Sequence, residues 1–254
     1  MTKIINLGSN TDRGFFSYLY TTFSAIYICD IKGEEFYIDW KSGVNYLSTE
    51  GENPFDYFFK QPYFDSYPID GESFYDHGLF LGDDVILEDR EKWNSILTKF
   101  LILKDDIKLE IQSYYNQNFL DRKILCVHKR GSDHVYHMPI QDNNEYFIAI
   151  DKEMSENNYD KIFLATDEEN SINEFKEKYG DKLIYLNNIR TSNSTPIFKM
   201  SINKYQHTKE VIMDAYLLSM GTKLIKTKST LTTMMCYLNK DLQYISIDNH
   251  IKFN

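Results

Sequence analysis

The chain has 254 residues and a mass of 30.1 kDa, enough for one large domain or two small ones around a sizeable core. Charged residues at 26% and apolar residues at 42% are ordinary globular usage, which excludes disordered, collagenous and low-complexity classes. The net charge of −10 excludes a general nucleic-acid binder, so any anionic ligand has to be met by locally placed positive charge.

Met1 to Asp12 carries one lysine and a short apolar patch before turning polar, which does not read as a signal peptide. No run reaches the roughly 20 apolar residues of a membrane span. Phe15, Phe16, Leu19, Phe23, Ile26 and Tyr27 form a helix-period stripe over Gly14 to Ile28. Glu35 to Trp40 then alternates like a strand. Lys41 to Asp84 is rich in Gly, Pro, Asp and Tyr and reads as loops and short elements. Its tyrosines Tyr57, Tyr63, Tyr67 and Tyr75 are expected to be exposed and suit a sugar-stacking groove, whereas Phe58 is expected in the core. A helix is expected from Glu91, and another from the starting acids Asp105 and Asp106.

The chain becomes regular near residue 120. Short apolar runs at Lys123–His128, Lys161–Ala165, Leu183–Leu186, Lys223–Thr227 and Gln243–Ile247 alternate with helical stretches at Asn143–Met154, after Thr166, Lys209–Met220 and Thr230–Leu238. Thr166 and Glu169 are spaced as a capping box, and Tyr179-Gly180 as a helix stop. Five such alternations predict an α/β fold with a parallel sheet covered on both faces. The expected division is an irregular domain over residues 1–120 and a Rossmann-like domain over 121–254.

Ligands of parallel sheets bind beyond the carboxyl ends of the strands, so the loops there carry the chemistry. They are His128 to Asp133, Thr166-Asp167 and Thr227 to Thr230. Arg130 is able to hold a phosphate with two hydrogen bonds, beside a glycine that allows close approach. Thr227-Lys-Ser-Thr230 opens a helix whose amides form an anion site. The competing readings are a solvated charged turn for the first loop and plain helix capping by Ser229 or Thr230 for the second. Two anion-competent loops on one edge suggest a pyrophosphate, with Lys129, Arg130 and Lys228 as its cations. Neither the P-loop nor the dinucleotide motif occurs. Asp83-Asp84, near Glu88 and Asp89, is the one acidic pair to consider for a metal, and it reads as an ordinary acidic loop. Cys29, Cys126 and Cys236 fit buried thiols in a reducing compartment, hence a cytoplasmic protein.

Val127-His-Lys-Arg-Gly-Ser-Asp133, Tyr146-Phe-Ile-Ala-Ile-Asp151 and Ile162-Phe-Leu-Ala-Thr-Asp-Glu168 resemble the first two conserved blocks of the fucosyltransferase superfamily. Its third block is similar to Glu210 to Ser219 followed by Leu224 to Thr230. Arg13 to Ser17, Phe36 to Trp40 and Asn53 to Phe59 resemble the family's N-terminal domain. The resemblance implies a GT-B-like, metal-independent, inverting glycosyltransferase that uses a nucleotide sugar, usually GDP-fucose, with no separate cofactor. It also implies roles for individual residues. Arg130 matches the arginine on the β-phosphate and His128 the histidine at the strand end. Asp214 matches an acid near the guanine and Ser229 a hydroxyl of the phosphate-side loop, where Thr227 and Thr230 are further expected donor-binding residues. Gly14 and Phe15 match the N-terminal turn that faces the donor.

Gly131 stands where the family often has a second arginine, and Lys228 interrupts its adjacent hydroxyl residues. His134 is the expected general base, a role suited to imidazole, with His137 and Asp133 as rivals. Arg130 and the helix start would stabilise the departing diphosphate. The expected partners are a nucleotide sugar and a glycan acceptor, such as lipopolysaccharide, capsule or protein glycan, with peripheral membrane association and oligomeric state left open. A non-catalytic nucleotide- or glycan-binding relative and a transferase for another nucleotide sugar are the alternatives.

Overall fold

The computed structural model describes residues 2–7, 14–41, 47, 51–74, 89–131, 141–192, 197, 200 and 202–247. Asp133, His134, His137, Tyr75 and the Asp83-Asp84 pair lie outside them. The chain divides into two units, Met1–Leu109 with Cys236–Lys240 and Glu110–Met235 with Asp241–Asn254. No helix among the described residues is long and apolar enough to cross a membrane.

In chain order the first unit contains Thr2–Asn6 (β1), Phe15–Lys32 (α1), Phe36–Asp39 (β2), Phe59–Lys60 (β3), Gly71–Phe74 (β4), Arg90–Phe100 (α2) and Ile102–Leu103 (β5). Asp105–Asn118 (α3) leads into the second unit. The sequence reading passes over β1, yet β1 is the middle of a parallel sheet ordered β2-β1-β4. Its strand signal is weak because only Ile4 and Ile5 are apolar among its five residues. Burial of that pair, at 5% and 0% exposure, comes from neighbours far along the chain.

The stripe expected in α1 is real, but the helix is buried nearly all round. It ends at Gly33, whose φ of 66° is the left-handed conformation that glycine adopts without strain, with Glu34 N–H closing onto the Cys29 carbonyl at 3.0 Å. Trp40 Nε1–H donates to Thr22 Oγ1 at 2.8 Å, tying the end of β2 to α1. Asn53 accepts from Trp40 N–H and donates to the Ile38 carbonyl, replacing a missing strand neighbour. Phe58 is fully buried, as expected, while Tyr63 and Tyr67 are 42% and 48% exposed and Tyr57 is half-buried. Asp89 caps α2 by accepting from Lys92 N–H.

The second unit continues with Ile124–Lys129 (β6), Asn143–Glu156 (α4), Lys161–Thr166 (β7), Glu169–Tyr179 (α5), Leu183–Ile184 (β8), Lys204–Ser219 (α6), Lys223–Lys226 (β9), Thr230–Leu238 (α7) and Gln243–Ser246 (β10). All five strands are parallel and ordered β10-β9-β6-β7-β8, the expected α/β architecture. The chain builds outward from β6 to β8, then returns to lay β9 against the other side of β6. The order of growth therefore reverses between β6 and β9, where doubly wound sheets open a crevice.

Alternation along β6 divides the two faces. Leu125 and Val127 pack with Tyr146, Ile150, Ile172 and Phe175 of α4 and α5. Cys126 points the other way, its Sγ 3.9 Å from the Leu217 carbonyl of α6, and Phe163 on β7 meets Tyr114 and Phe119 at the end of α3. Helices thus cover both faces, and burial explains why these strands read as unbroken apolar runs. The three cysteines are buried, as expected.

Two local expectations are corrected. Thr166 forms no capping box with Glu169: α5 begins two residues further on than the box requires, with Glu168 as its flanking residue and no side-chain cap. Thr166 Oγ1 instead accepts from Glu168 N–H at 3.3 Å, and Glu169 N–H donates to the Thr191 carbonyl at 3.0 Å. A backbone neighbour from after β8 has taken the amide that the side chain was expected to serve. Helix α6 also begins earlier than Lys209, because Asn203 accepts from Gln206 N–H and caps a turn that contains no apolar stripe.

Candidate functional site

The carboxyl ends of β6, β7 and β9 bring three segments of the second unit to one edge. Parallel register sets Lys129 beside Thr166 and His128 beside Lys226. Tyr146, reaching up from α4 at 0% exposure, has its hydroxyl 3.4 Å from the His128 carbonyl and 3.5 Å from Thr227 Oγ1. One phenol therefore spans the reversal point between β6 and β9. His128 itself is buried at 8% exposure.

Arg130 follows β6 directly and is half-buried. Lys129 is not placed to face an anion, which corrects the expectation that it is one of a pyrophosphate's cations. Lys129 is the last residue of β6 and points to the same face as Leu125 and Val127. Its Nζ is buried in an ion pair with Glu168 at 2.5 Å, so its charge is met within the protein. Sequence reasoning marked Asp167 as part of the loop after β7 but gave neither it nor Glu168 a partner. Asp167 Oδ1 accepts from Gly131 N–H at 2.9 Å.

On the other side of the crevice, Ser229 and Thr232 form a reciprocal cap. Thr232 N–H donates to Ser229 Oγ at 3.1 Å, and Ser229 N–H donates to Thr232 Oγ1 at 3.2 Å. The Thr232 hydroxyl also donates to the Thr227 carbonyl at 3.0 Å, closing the turn. The serine hydroxyl thus starts α7, and the first-turn amides at Thr230 and Leu231, which a helix leaves without internal acceptors, supply its anion-facing character. Thr227 is buried at 3% exposure, and Lys228 and Thr230 are half-buried. Lys226, at 5% exposure, lies with its ammonium 4.9 Å from the Tyr244 ring centre.

Asp214 lies deeper, on α6, behind the segment after β8. Asn188 Nδ2–H donates to its Oδ2 at 2.7 Å, while Oδ1 is buried with no partner among the described residues. Burial pushes its acid up to about 8, opposed by the nearby Arg190 guanidinium and the Asn188 bond and helped by the Glu210 carboxylate. Glu210, one helical turn earlier, accepts from Ile189 N–H at 2.9 Å and from Gln206 Nε2–H at 3.0 Å. Arg190 spends its terminal nitrogens on the Asn188 and Leu186 carbonyls, at 3.1 and 2.5 Å, and its buried Nε has no partner among the described residues. His207, in the first turns of α6, is held down to about 4 by burial, and its Nδ1 has no partner among the described residues. Buried polar atoms without a partner among the described residues, such as Asp214 Oδ1 and Arg190 Nε, are unusual in a folded protein.

Gly14 and Phe15 belong to the first unit. Gly14 flanks the start of α1 in an extended conformation, and Phe15 is buried among Phe16, Trp40, Phe58 and Phe59. Asp133, His134 and His137 lie outside the described residues.

No protein-family model matches the sequence, and no curated protein matches it. Solved structures do. The fucosyltransferase NodZ from Bradyrhizobium superimposes with a TM-score of 0.62 at 14% identity, covering 99% of this chain and 98% of that one. A NodZ alpha-1,6-fucosyltransferase co-crystallized with GDP gives 0.59 at 15% identity, over 94% of this chain and 93% of that chain. POFUT1 in complex with GDP gives 0.52 at 10% identity, over 96% and 97%. The fold is thus that of solved fucosyltransferases along almost the whole of both chains.

Proposed function

We propose that this protein is a glycosyltransferase of the GT-B type that moves a sugar, fucose from GDP-fucose, to a hydroxyl of a glycan acceptor, inverting the anomeric carbon without a metal. The observation that carries this reading is the pairing of Arg130 and the Ser229-capped start of α7 on either side of the reversal point between β6 and β9. It is supported by the likeness to structures described as complexes with GDP and GDP-fucose.

In this reading Arg130 and the first amides of α7 hold the diphosphate and stabilise the charge that grows on it as the glycosidic bond breaks. One such donor is typically worth a few kcal/mol in the transition state. Asp214 takes the base: the unsatisfied Oδ1 accepts a ring N–H, and the buried Arg190 Nε offers a further polar partner. His134 takes the acceptor hydroxyl proton, with His137 and Asp133 as the rival bases. Residues 1–120 form the acceptor side, where exposed Tyr63 and Tyr67 suit sugar stacking. Buried, unbridged thiols suit a cytoplasmic site of action, and surface-glycan synthesis is the role that fits such a transferase.

A nucleotide panel tests the donor. GDP is expected to raise the unfolding temperature, and UDP, CMP and ADP to do so much less. Strong stabilisation by UDP with none by GDP overturns the GDP-fucose reading. Slow release of GDP from GDP-fucose without acceptor is expected of the enzyme, and binding without any turnover would instead indicate a non-catalytic relative.

A further inference from the structure

Two adjacent carboxylates after β7 take hold of the segment after β6, one on each side of Arg130. Glu168 pairs with Lys129 Nζ, and Asp167 Oδ1 accepts from Gly131 N–H at 2.9 Å. Register explains the match. Lys129 lies opposite Thr166, so the next two residues of each chain segment run side by side. Gly131 has no side chain for a steric reason, since a Cβ there would collide with the Glu168 carboxyl group.

The two acids are themselves held. Ser171 Oγ–H donates to Glu168 Oε2 at 2.9 Å, and the Asp167 carbonyl accepts from Thr191 N–H at 2.9 Å. Thr191 belongs to the segment after β8, whose Ile189 N–H is anchored by Glu210. A chain of fixed contacts thus runs from α6 through the segments after β8 and β7 to the backbone that carries Arg130.

We propose that Asp167 and Glu168 are positioning residues that aim Arg130 at the ligand's phosphate and do not touch the ligand themselves. This rests on the reading that Arg130 holds a diphosphate. A bidentate guanidinium grip depends on the direction in which the side chain leaves its Cα, and two anchors on neighbouring residues determine that direction.

The test is a double-mutant cycle read by GDP affinity in calorimetry, with thermal unfolding measured alongside. Asp167→Ala is expected to weaken GDP binding by about tenfold, the scale of loss expected from a misplaced anchoring group. Asp167→Asn keeps an oxygen that accepts from Gly131 N–H and should stay within about threefold. In the Arg130→Ala background Asp167→Ala should add less than about twofold, the non-additivity of residues acting through one group. Gly131→Ala leaves both carboxylates in the chain but pushes Glu168 aside, so it too must weaken GDP binding, a second route should Asp167→Ala fail to fold.

An Asn variant as damaged as the Ala variant would overturn the proposal, because the carboxylate's charge and not its hold on the Gly131 amide would then set the affinity. Equal losses with and without Arg130, in a protein that binds GDP, would overturn it while leaving the donor assignment standing. An unsubstituted protein that binds no nucleoside diphosphate brings down the phosphate reading and this proposal together.

Discussion

The loops after β6 and after β9 read alike in sequence, each a short polar stretch with lysine and small hydroxyl residues, yet they are built on different chemistry. The first is held by charge: Lys129 is neutralised by Glu168 and the Gly131 amide is held by Asp167. The second is held by neutral hydroxyls, Ser229 and Thr232, that close a turn and start a helix. The contrast teaches that counting cations in a loop does not give the charge available to a ligand. A buried lysine spent on a glutamate contributes rigidity, and in the proposed function the arginine beside it is left to carry the binding.

The difference can be broken at its strongest point first. Glu168→Ala leaves the Lys129 ammonium buried without its partner and should cost about 3–5 kcal/mol of folding stability in urea denaturation. Adding Lys129→Met should recover most of that loss, because an apolar side chain of similar length carries no desolvation penalty. Arg130→Ala should lower turnover by about 10²–10³-fold with little change in unfolding temperature, the loss of one transition-state charge donor.

Asp214 supplies a pH test. Its acid is pushed up to about 8 by burial, so the folded protein keeps a proton that the unfolded chain gives up near its ordinary value of 3.8. Stability from this group is complete below that ordinary value and is lost as pH rises through about 8. His207 works in the opposite sense, because its folded value of about 4 lies below its ordinary 6.5, so its contribution is present above 6.5 and lost toward 4. The two trends oppose each other below 6.5. From there to about 8 the Asp214 trend stands alone, and stability should fall by up to about 1.4 kcal/mol per pH unit, a slope that Asp214→Asn abolishes. GDP affinity should rise over the same interval, since a ring N–H favours the ionised carboxylate.

The smallest effect belongs to the second loop. Ser229→Ala should cost about 1 kcal/mol of stability, the usual value of a helix cap, and weaken GDP binding far less than Arg130→Ala. Equal losses of affinity from the two substitutions would mean that both loops grip phosphate in the same way.

The second unit was readable because strands and helices there differ in period, and five-residue apolar runs between amphipathic stretches have few other fates. The first unit was less readable. The strand β1 has two adjacent apolar residues and becomes a central strand only because β2 and β4, more than thirty residues away, lie on either side of it. Asp167 and Glu168 were legible as a strand-end loop but not as partners of Lys129 and Gly131, and the capping box at Thr166 was a local pattern overruled by a backbone amide bond to Thr191.

The sequence by itself determined the parallel α/β sheet, the edge at which chemistry should lie, and the presence of Arg130 and a helix start on that edge. Those follow from periodicity and from chain order, which are local properties. Only the tertiary structure decided that Lys129 is spent inside the protein. The alternation of β6 turned Lys129 toward the α4–α5 side, the register with β7 brought Glu168 to meet it, and burial isolated Asp214 Oδ1. Partners 39 residues apart in the chain, such as Lys129 and Glu168, are set by strand register, and register is established only when the sheet assembles.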